Sequence, residues 1–253
     1  MDVYVVSRGR HEQCLTLESL GNLAAPYKIT LVVHEDEVSL YTPLAMKHGV
    51  KLLAFKYHTI GHKRQLIGEQ ASDKFVMMDD DLTFFKRKSL ADWHLTRFVE
   101  GDARRMLDIV DRQLDKFAHV GVSGREGNNR LPASFVHSVR YMRVLAYRKK
   151  EYLECEHDRV QFMEDFDVNL QLLRKGYPSS MLTNFAHNQR GTQAKGGCSL
   201  TRTKETHALA ATKLKQLHEK FVSLHEKKNK TGGEFGSRLE VRVKWKRALA
   251  SAQ

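Results

Sequence analysis

The 253-residue sequence predicts an α/β fold: a mostly parallel central sheet flanked by helices, with a basic helical C-terminal extension. Three observations carry that expectation. Short apolar runs alternate with helical patterns through the first half, as a parallel sheet covered on both faces requires. The runs end in polar or charged segments, where open α/β sheets bind ligands. Past residue 201 the composition turns basic, which divides the chain into a core over 1–201 and a tail over 202–253.

The elements follow in order. Residues 3–6 form a strand ended by Ser7-Arg8-Gly9-Arg10. Cys14, Leu17 and Leu20 share one helix face, stopped by Gly21-Asn22. Residues 29–33 are a second strand, and Val38, Tyr41 and Ala45 suggest a helix. Residues 51–55 are a third strand, followed by a polar stretch over 56–62. Leu66, Ile67 and Ala71 fit a helix ending near Ser72-Asp73, and residues 74–78 run straight into Asp79-Asp80-Asp81. Asp102 is placed to cap a helix with face Leu107, Val110, Leu114 and Phe117. Residues 119–122 read as a strand leading into a polar loop over 123–130, and residues 139–147 are apolar and β-prone. A helix over 163–175 is stopped by Gly176. A short strand covers 181–185, and the polar stretch 187–199 is expected outside the core. In the tail, Ala210, Leu214, Leu217, Phe221 and Leu224 make one stripe on a long basic helix.

Composition bounds the class. The hydrophobic fraction is 41%, enough for a packed core. No apolar run approaches the ~20 residues of a membrane span, and the opening residues lack a signal-peptide layout, so no membrane association is expected. Cys14, Cys155 and Cys198 lie far apart, which fits a reducing cytoplasm and no disulfide framework. Lysine plus arginine total 42 against 30 acidic residues, a net charge of +12. Such a surplus suits nucleic acid, a nucleotide or an acidic membrane surface.

Three clusters carry chemistry. Asp79-Asp80-Asp81 ends an apolar strand, and three adjacent carboxylates repel unless a cation sits among them. Mg²⁺ or Mn²⁺ would satisfy them and bridge to phosphates; a solvated acidic turn is the competing reading. Glu164-Asp165-Phe166-Asp167 starts a helix, where carboxylates meet a favourable dipole, and one of them is also placed to act as a general base. His187 is either a structural histidine or a neutral imidazole completing a metal shell. Arg8, Arg10, Lys63 and Arg64 fall near element ends on the side of the triplet, where they would neutralise phosphates.

In order, these motifs resemble the GT-A family of nucleotide-sugar glycosyltransferases, a Rossmann-like fold, over roughly residues 1–200. The Ser7-Arg8-Gly9-Arg10 segment and the stretch 188–199 further resemble phage TET-associated DNA glycosyltransferases, akin to base J glucosyltransferase. The resemblance implies a divalent metal (Mn²⁺ or Mg²⁺) held by Asp81 and His187, and a UDP-sugar bordered by Ser7, Arg8, Arg10, Arg64, Asp79 and Asp80. It implies Asp165 as base of an inverting enzyme, with Glu164 or Asp167 as competing assignments. The implied acceptor is the hydroxymethyl group of 5-hydroxymethylcytosine or 5-hydroxymethyluracil in DNA, in a phage-infected cell. Arg125, Arg130, Lys195 and Trp245 are candidates to touch it.

Other functions compete with this one. A GT-A enzyme with a glycan or protein acceptor keeps the chemistry and changes the partner. A metal-dependent nuclease would use the same carboxylates, and a non-catalytic DNA-binding protein would use the basic tail. The tail stripe either packs on the core or joins two copies, so a monomer and a homodimer both stand.

Overall fold

A computed structural model of the chain describes residues 1–21, 23, 26–126, 131–189, 196–197, 201–228 and 237–252. Its first half alternates as the apolar runs predict. β1 (Asp2–Val6), α1 (Leu15–Leu20), β2 (Ile29–His34), α2 (Val38–His48), β3 (Lys51–Phe55), α3 (Ile60–Gln70) and β4 (Lys74–Asp79) follow in turn. β1 pairs in parallel with β2 and β4, and β3 adds outside β2. Side chains alternate between two covered faces. Val3, Val5, Leu31, Val33, Val76 and Met78 join one apolar cluster; Tyr4, Val6, Val32, Phe75 and Met77 join the other. The register sets Val6 opposite Asp79, which brings the ends of β1 and β4 together.

The core continues through β5 (Leu82–Arg87), β6 (Leu95–Arg97), α4 (Asp102–Leu114), β7 (His119–Gly124), β8 (Phe135–His137), β9 (Val144–Arg148), α5 (Lys149–Leu153), α6 (Glu164–Arg174) and β10 (Ser179–Gln189). The ten-stranded sheet has the order β3-β2-β1-β4-β9-β7-β10-β5-β6, with β8 beside β10. β9, β5 and β8 run against the other strands, so the sheet is mostly parallel in direction.

Several expectations are corrected here. The chain re-enters the sheet as β5 directly after Asp81, burying Leu82, Phe84 and Phe85. Only the end of the β-prone stretch 139–147 joins the sheet, after Arg143 at φ 67°. Gly101, at φ 84°, precedes α4; Asp102 is its first residue, accepting from the Val99 amide at 2.9 Å and pairing with Lys86 at 2.7 Å. β10 reaches Gln189, so residues 187–189 belong to the sheet and His187 is fully buried. It lies between two paired neighbours, β7 and β5, which satisfies a polar segment's backbone inside the fold.

The predicted long basic helix is also corrected. α7 (Lys204–Leu217) ends early and is followed by β11 (Val222–Lys227), β12 (Arg238–Val243) and α8 (Trp245–Ala250). β11 and β12 pair antiparallel. The chain leaves the helix at His218, whose ring meets Asp167 at 2.7 Å. Ala210, Ala211, Leu214, Phe221, Val222 and Ala248 pack against Phe162, Phe166, Leu170 and Leu173 of the core. Leu224 lies on a strand and is partly exposed. Cys14 and Cys155 are buried free thiols, whereas Cys198 lies outside the described residues. Among the described residues no helix is long and apolar enough to cross a membrane.

The 202–253 segment therefore shares a core with what precedes it. Leu214→Ala should lower stability by about 2–5 kcal/mol, the range for a buried leucine. Urea denaturation measures this; a loss below about 0.5 kcal/mol would mean that α7 is not packed as described.

Candidate functional site

The ends of β1, β2, β3 and β4 open into one cavity of about 970 Å³, which also reaches the start of α6 and the C-terminal hairpin. Ser7 leaves β1 buried. Its hydroxyl meets the Tyr41 hydroxyl at 2.7 Å and donates to Asp80. Gly9 turns the chain at φ 65°. Arg8 then pairs with Asp36 at 2.7 Å, and the Arg10 amide donates to the Tyr41 hydroxyl at 2.8 Å. The segment 196–197 closes over this turn. The Gly197 amide donates to the Arg8 carbonyl at 2.8 Å, and a Cβ on Gly196 would collide with the Gly9 carbonyl at 2.8 Å. Both glycines have positive φ, which disfavours a side chain at either, and at Gly196 space excludes one as well.

The aspartate triplet is unequal. Asp80 is buried, and its carboxylate takes the Arg10 guanidinium at 2.5 Å. Asp81 sits 3.0 Å from the same guanidinium. Burial and the neighbouring Asp79 push Asp81 up to about 6, against the pull of Arg10. Asp79 is the most open of the three and pairs with Arg64 at 3.2 Å.

Arg64 lies on α3, whose start is capped by Thr59 accepting from the His62 amide at 3.0 Å. The buried guanidinium also meets Glu164 at 2.8 Å. α6 starts after Met163, a non-glycine residue at φ 66°. Burial pushes Glu164 up to about 7, opposed by Arg64 and reinforced by Asp165. Burial also raises Asp165, opposed by Arg64 and Arg140. Asp167 belongs elsewhere: it faces Arg159 at 2.6 Å and His218 at 2.7 Å and is absent from the cavity wall. Burial alone would raise it, but those hydrogen bonds hold it below the ordinary carboxylate range. Asp167 therefore stands apart from the cavity that Glu164 and Asp165 line.

The candidates divide accordingly. Ser7, Arg8, Arg10, Arg64, Asp79, Asp80, Asp81, Glu164 and Asp165 share the cavity. His187 does not line it. Its ring lies beside Gly124, enclosed in the sheet, and burial with Arg143 brings it down to about 3. His187 thus stands apart from the lining that holds Asp81. Arg125 is exposed and lies over the Phe85 ring at 5.1 Å, off the cavity wall. Trp245 packs edge-on against Phe166 at 5.3 Å, a packing role instead of a free stacking platform. Arg130 and Lys195 lie outside the described residues.

His34, Tyr57, Arg140 and Arg143 also line the cavity, and sequence reasoning did not single them out. Tyr57 follows β3, so the rule that ligands bind at strand ends could have found it. His34 packs on it edge-to-face at 4.8 Å, and the Lys63 ammonium lies 4.8 Å from its ring centre. No comparable signal marks Arg140 or Arg143.

The donor set accommodates a hard divalent cation. Asp79 and Asp81 would supply oxygen ligands, and Asp81 is raised by its burial and by Asp79 beyond what Arg10 offsets. Among the described residues no group of three or more metal-ligating side chains is assembled. Mg²⁺-type sites commonly need only one or two carboxylates, with substrate phosphates and water completing the shell.

Cations and carboxylates thus gather at the carboxyl edge of an open α/β sheet, the place where such sheets bind their ligands. The chain matches the family described as TET-Associated Glycosyltransferase over residues 1–197, and it belongs to that family. No curated protein sequence matches it. Similar solved structures include 4-diphosphocytidyl-2C-methyl-D-erythritolsynthase from Anaerococcus prevotii, with 11% identity, a TM-score of 0.45, and 83% of this chain and 94% of that chain covered. The inositol-1-phosphate CTP transferase from T. maritima has 11% identity and a TM-score of 0.42, covering 85% of this chain and 96% of that one. The glycosyltransferase GlyE of Streptococcus pneumoniae has 17% identity and a TM-score of 0.39, covering 67% of this chain and 43% of that one.

Arg64 is the only described cation bridging Asp79 and Glu164. Arg64→Met should destabilise the fold by about 3 kcal/mol, the low end for a buried pair, because it strands the enclosed Glu164 carboxylate while Asp79 stays partly exposed. Adding Glu164→Gln and Asp79→Asn should restore part of that loss in urea denaturation. No recovery would mean that Arg64 acts through packing alone.

Proposed function

We propose that the chain transfers a sugar from a UDP-sugar to the hydroxymethyl group of 5-hydroxymethylcytosine or 5-hydroxymethyluracil in DNA, with a divalent metal and inversion at the anomeric carbon. One observation carries the reading: Arg8, Arg10, Lys63 and Arg64 border a single cavity together with the Glu164–Asp165 pair. Membership of the TET-associated family supports the modified-base acceptor. The reading places the enzyme in the cytoplasm of a phage-infected cell, where hydroxymethylated DNA is made.

Asp79 and Asp81 would hold the metal, which when bound supplies Lewis-acid stabilisation of the leaving diphosphate. Arg8, Arg10 and Arg64 set fixed positive charge around the same diphosphate. Tyr57 and His34 offer flat surfaces for the nucleobase. Asp165 takes the proton from the acceptor hydroxymethyl oxygen as that oxygen attacks the anomeric carbon. The C–O bond to UDP breaks on the opposite face, so the leaving group carries away the electron pair. Glu164, held by Arg64, orients the start of α6 and keeps Asp165 facing the cavity.

Mass spectrometry of nucleosides from hydroxymethylated DNA, incubated with a panel of UDP-sugars and Mn²⁺, should show a gain of one sugar. Strand cleavage without a mass gain would favour a nuclease. Asp165→Asn should leave UDP binding intact and slow transfer by roughly 10²–10⁴-fold; normal transfer would move the base elsewhere. Asp81→Ala should abolish the Mn²⁺ dependence of UDP binding in calorimetry, and an unchanged dependence would overturn the metal assignment.

The base works only when deprotonated, and burial raises both Glu164 and Asp165. Transfer should therefore fall as pH drops, with an acidic limb above the ordinary carboxylate range that belongs to the pair. A kcat/KM profile flat from pH 5 to 8 would contradict this.

A further inference from the structure

The two walls of the cavity differ in how their charges are matched. At the strand ends each named arginine has carboxylate partners: Arg8 with Asp36, Arg10 with Asp80 and Asp81, Arg64 with Asp79 and Glu164. Across the Glu164–Asp165 pair lies a second wall, formed by the approach to β9 and by the C-terminal hairpin. Arg140, Arg143, Arg202, Lys227 and Arg238 line it; Arg143 pairs with Glu126 at 3.7 Å and Arg238 with Glu240 at 2.6 Å, so the difference rests on Arg140 and Lys227.

Arg140 stands out in this wall. Its guanidinium lies over the Phe166 ring at 4.7 Å. Asp165 and Glu240 act on it only through space, and no described carboxylate forms an ion pair with it. Its side chain is exposed, so its charge is open to an incoming group. Arg202 is stacked similarly over Phe162, at 4.8 Å. Stacking on Phe166 fixes the plane of the Arg140 guanidinium, which can then offer its N–H edge to a phosphate oxygen. Phe162 and Phe166 are held by the same cluster as Leu214, Phe221 and Ala248, so the C-terminal segment braces both arginines. Lys227 ends β11, exposed, with Arg238 opposite it in the hairpin register.

We propose that this second wall is a phosphodiester-binding surface, with Arg140 and Lys227 contacting the backbone of the acceptor DNA strand beside Asp165. The inference rests on the DNA-acceptor reading above and deepens it. A neutral glycan acceptor would bring no counter-charge to Arg140 and Lys227, whereas a DNA strand brings phosphates on both sides of the target base. The donor diphosphate has its own cations across the cavity.

The test is binding, because removing Arg140 also alters the field at Asp165 and would blur an activity measurement. A fluorescent duplex carrying 5-hydroxymethylcytosine is titrated with the full chain across a salt series. For the Arg140→Ala/Lys227→Ala double variant, affinity should fall roughly tenfold or more, and the slope of log K against log salt should shallow by about 2, one per lost phosphate contact. The charge-retaining Arg140→Lys/Lys227→Arg variant should keep the wild-type slope. UDP binding by calorimetry should stay within about twofold in both variants, which checks that they are folded. An unchanged affinity and slope in the double variant overturns the proposal. Wild-type transfer to DNA combined with an unaltered DNA KM in the double variant overturns it while leaving the proposed function standing. Salt-dependent DNA binding that the double variant loses, without sugar transfer from any donor, supports the wall and overturns the proposed function.

Discussion

The site depends on one buried cation. Arg64 joins Asp79, at the end of β4, to Glu164, at the start of α6. These carboxylates are far apart in sequence, and burial disfavours the charged form of Glu164. A guanidinium suits the task because its planar fork can serve two carboxylates and stays charged when buried. The bridge fixes the distance between the donor side of the cavity and the proposed base. It also explains why α3 begins where it does. The Thr59 cap sets the first turn, and Arg64 follows one turn later, directed at both partners.

Charge matching then organises the rest. Arg10 is divided between Asp80 and Asp81, and Ser7 holds Asp80 from the other side. Asp81 remains raised despite this, because its burial and Asp79 outweigh the pull of Arg10. Backbone strain is placed at the same site. Arg143 and Met163 both adopt left-handed φ on the cavity wall, one before β9 and the other before α6. Strained residues of this kind persist when surrounding contacts over-determine them, and they cluster where geometry serves function.

The C-terminal segment is part of this design as well as of the core. Its helix and hairpin bury Phe162 and Phe166, the rings beneath Arg202 and Arg140. His218 reaches Asp167 on α6, and Glu240 is held down to about 2 by His207 and Arg238, whose hydrogen bonds outweigh its burial. Residues that anchor the segment therefore also shape the cavity wall.

Local pattern determined much of this protein. The strands from β1 to β4 follow from short apolar runs, and the site's position follows from the polar residues that end them. Ser7, Arg8, Arg10, Arg64, the triplet and the Glu164–Asp165 pair were all legible, because each sits next to an element boundary marked in sequence. Tertiary structure decided what depends on distant neighbours. His187 looked like a loop ligand because its segment is polar, yet pairing with β5 and β7 encloses it. Asp167 shared a helical turn with Asp165, yet Arg159 and His218 claim it. The 4-3 spacing of Leu214, Leu217, Phe221 and Leu224 suits a helix, yet the chain turns at His218 into a strand. Arg140 carried no signal at all, since its role comes from a ring 26 residues later in the chain. Periodicity records which face of an element is buried; which groups meet across the fold is set by packing, and only the folded chain contains that.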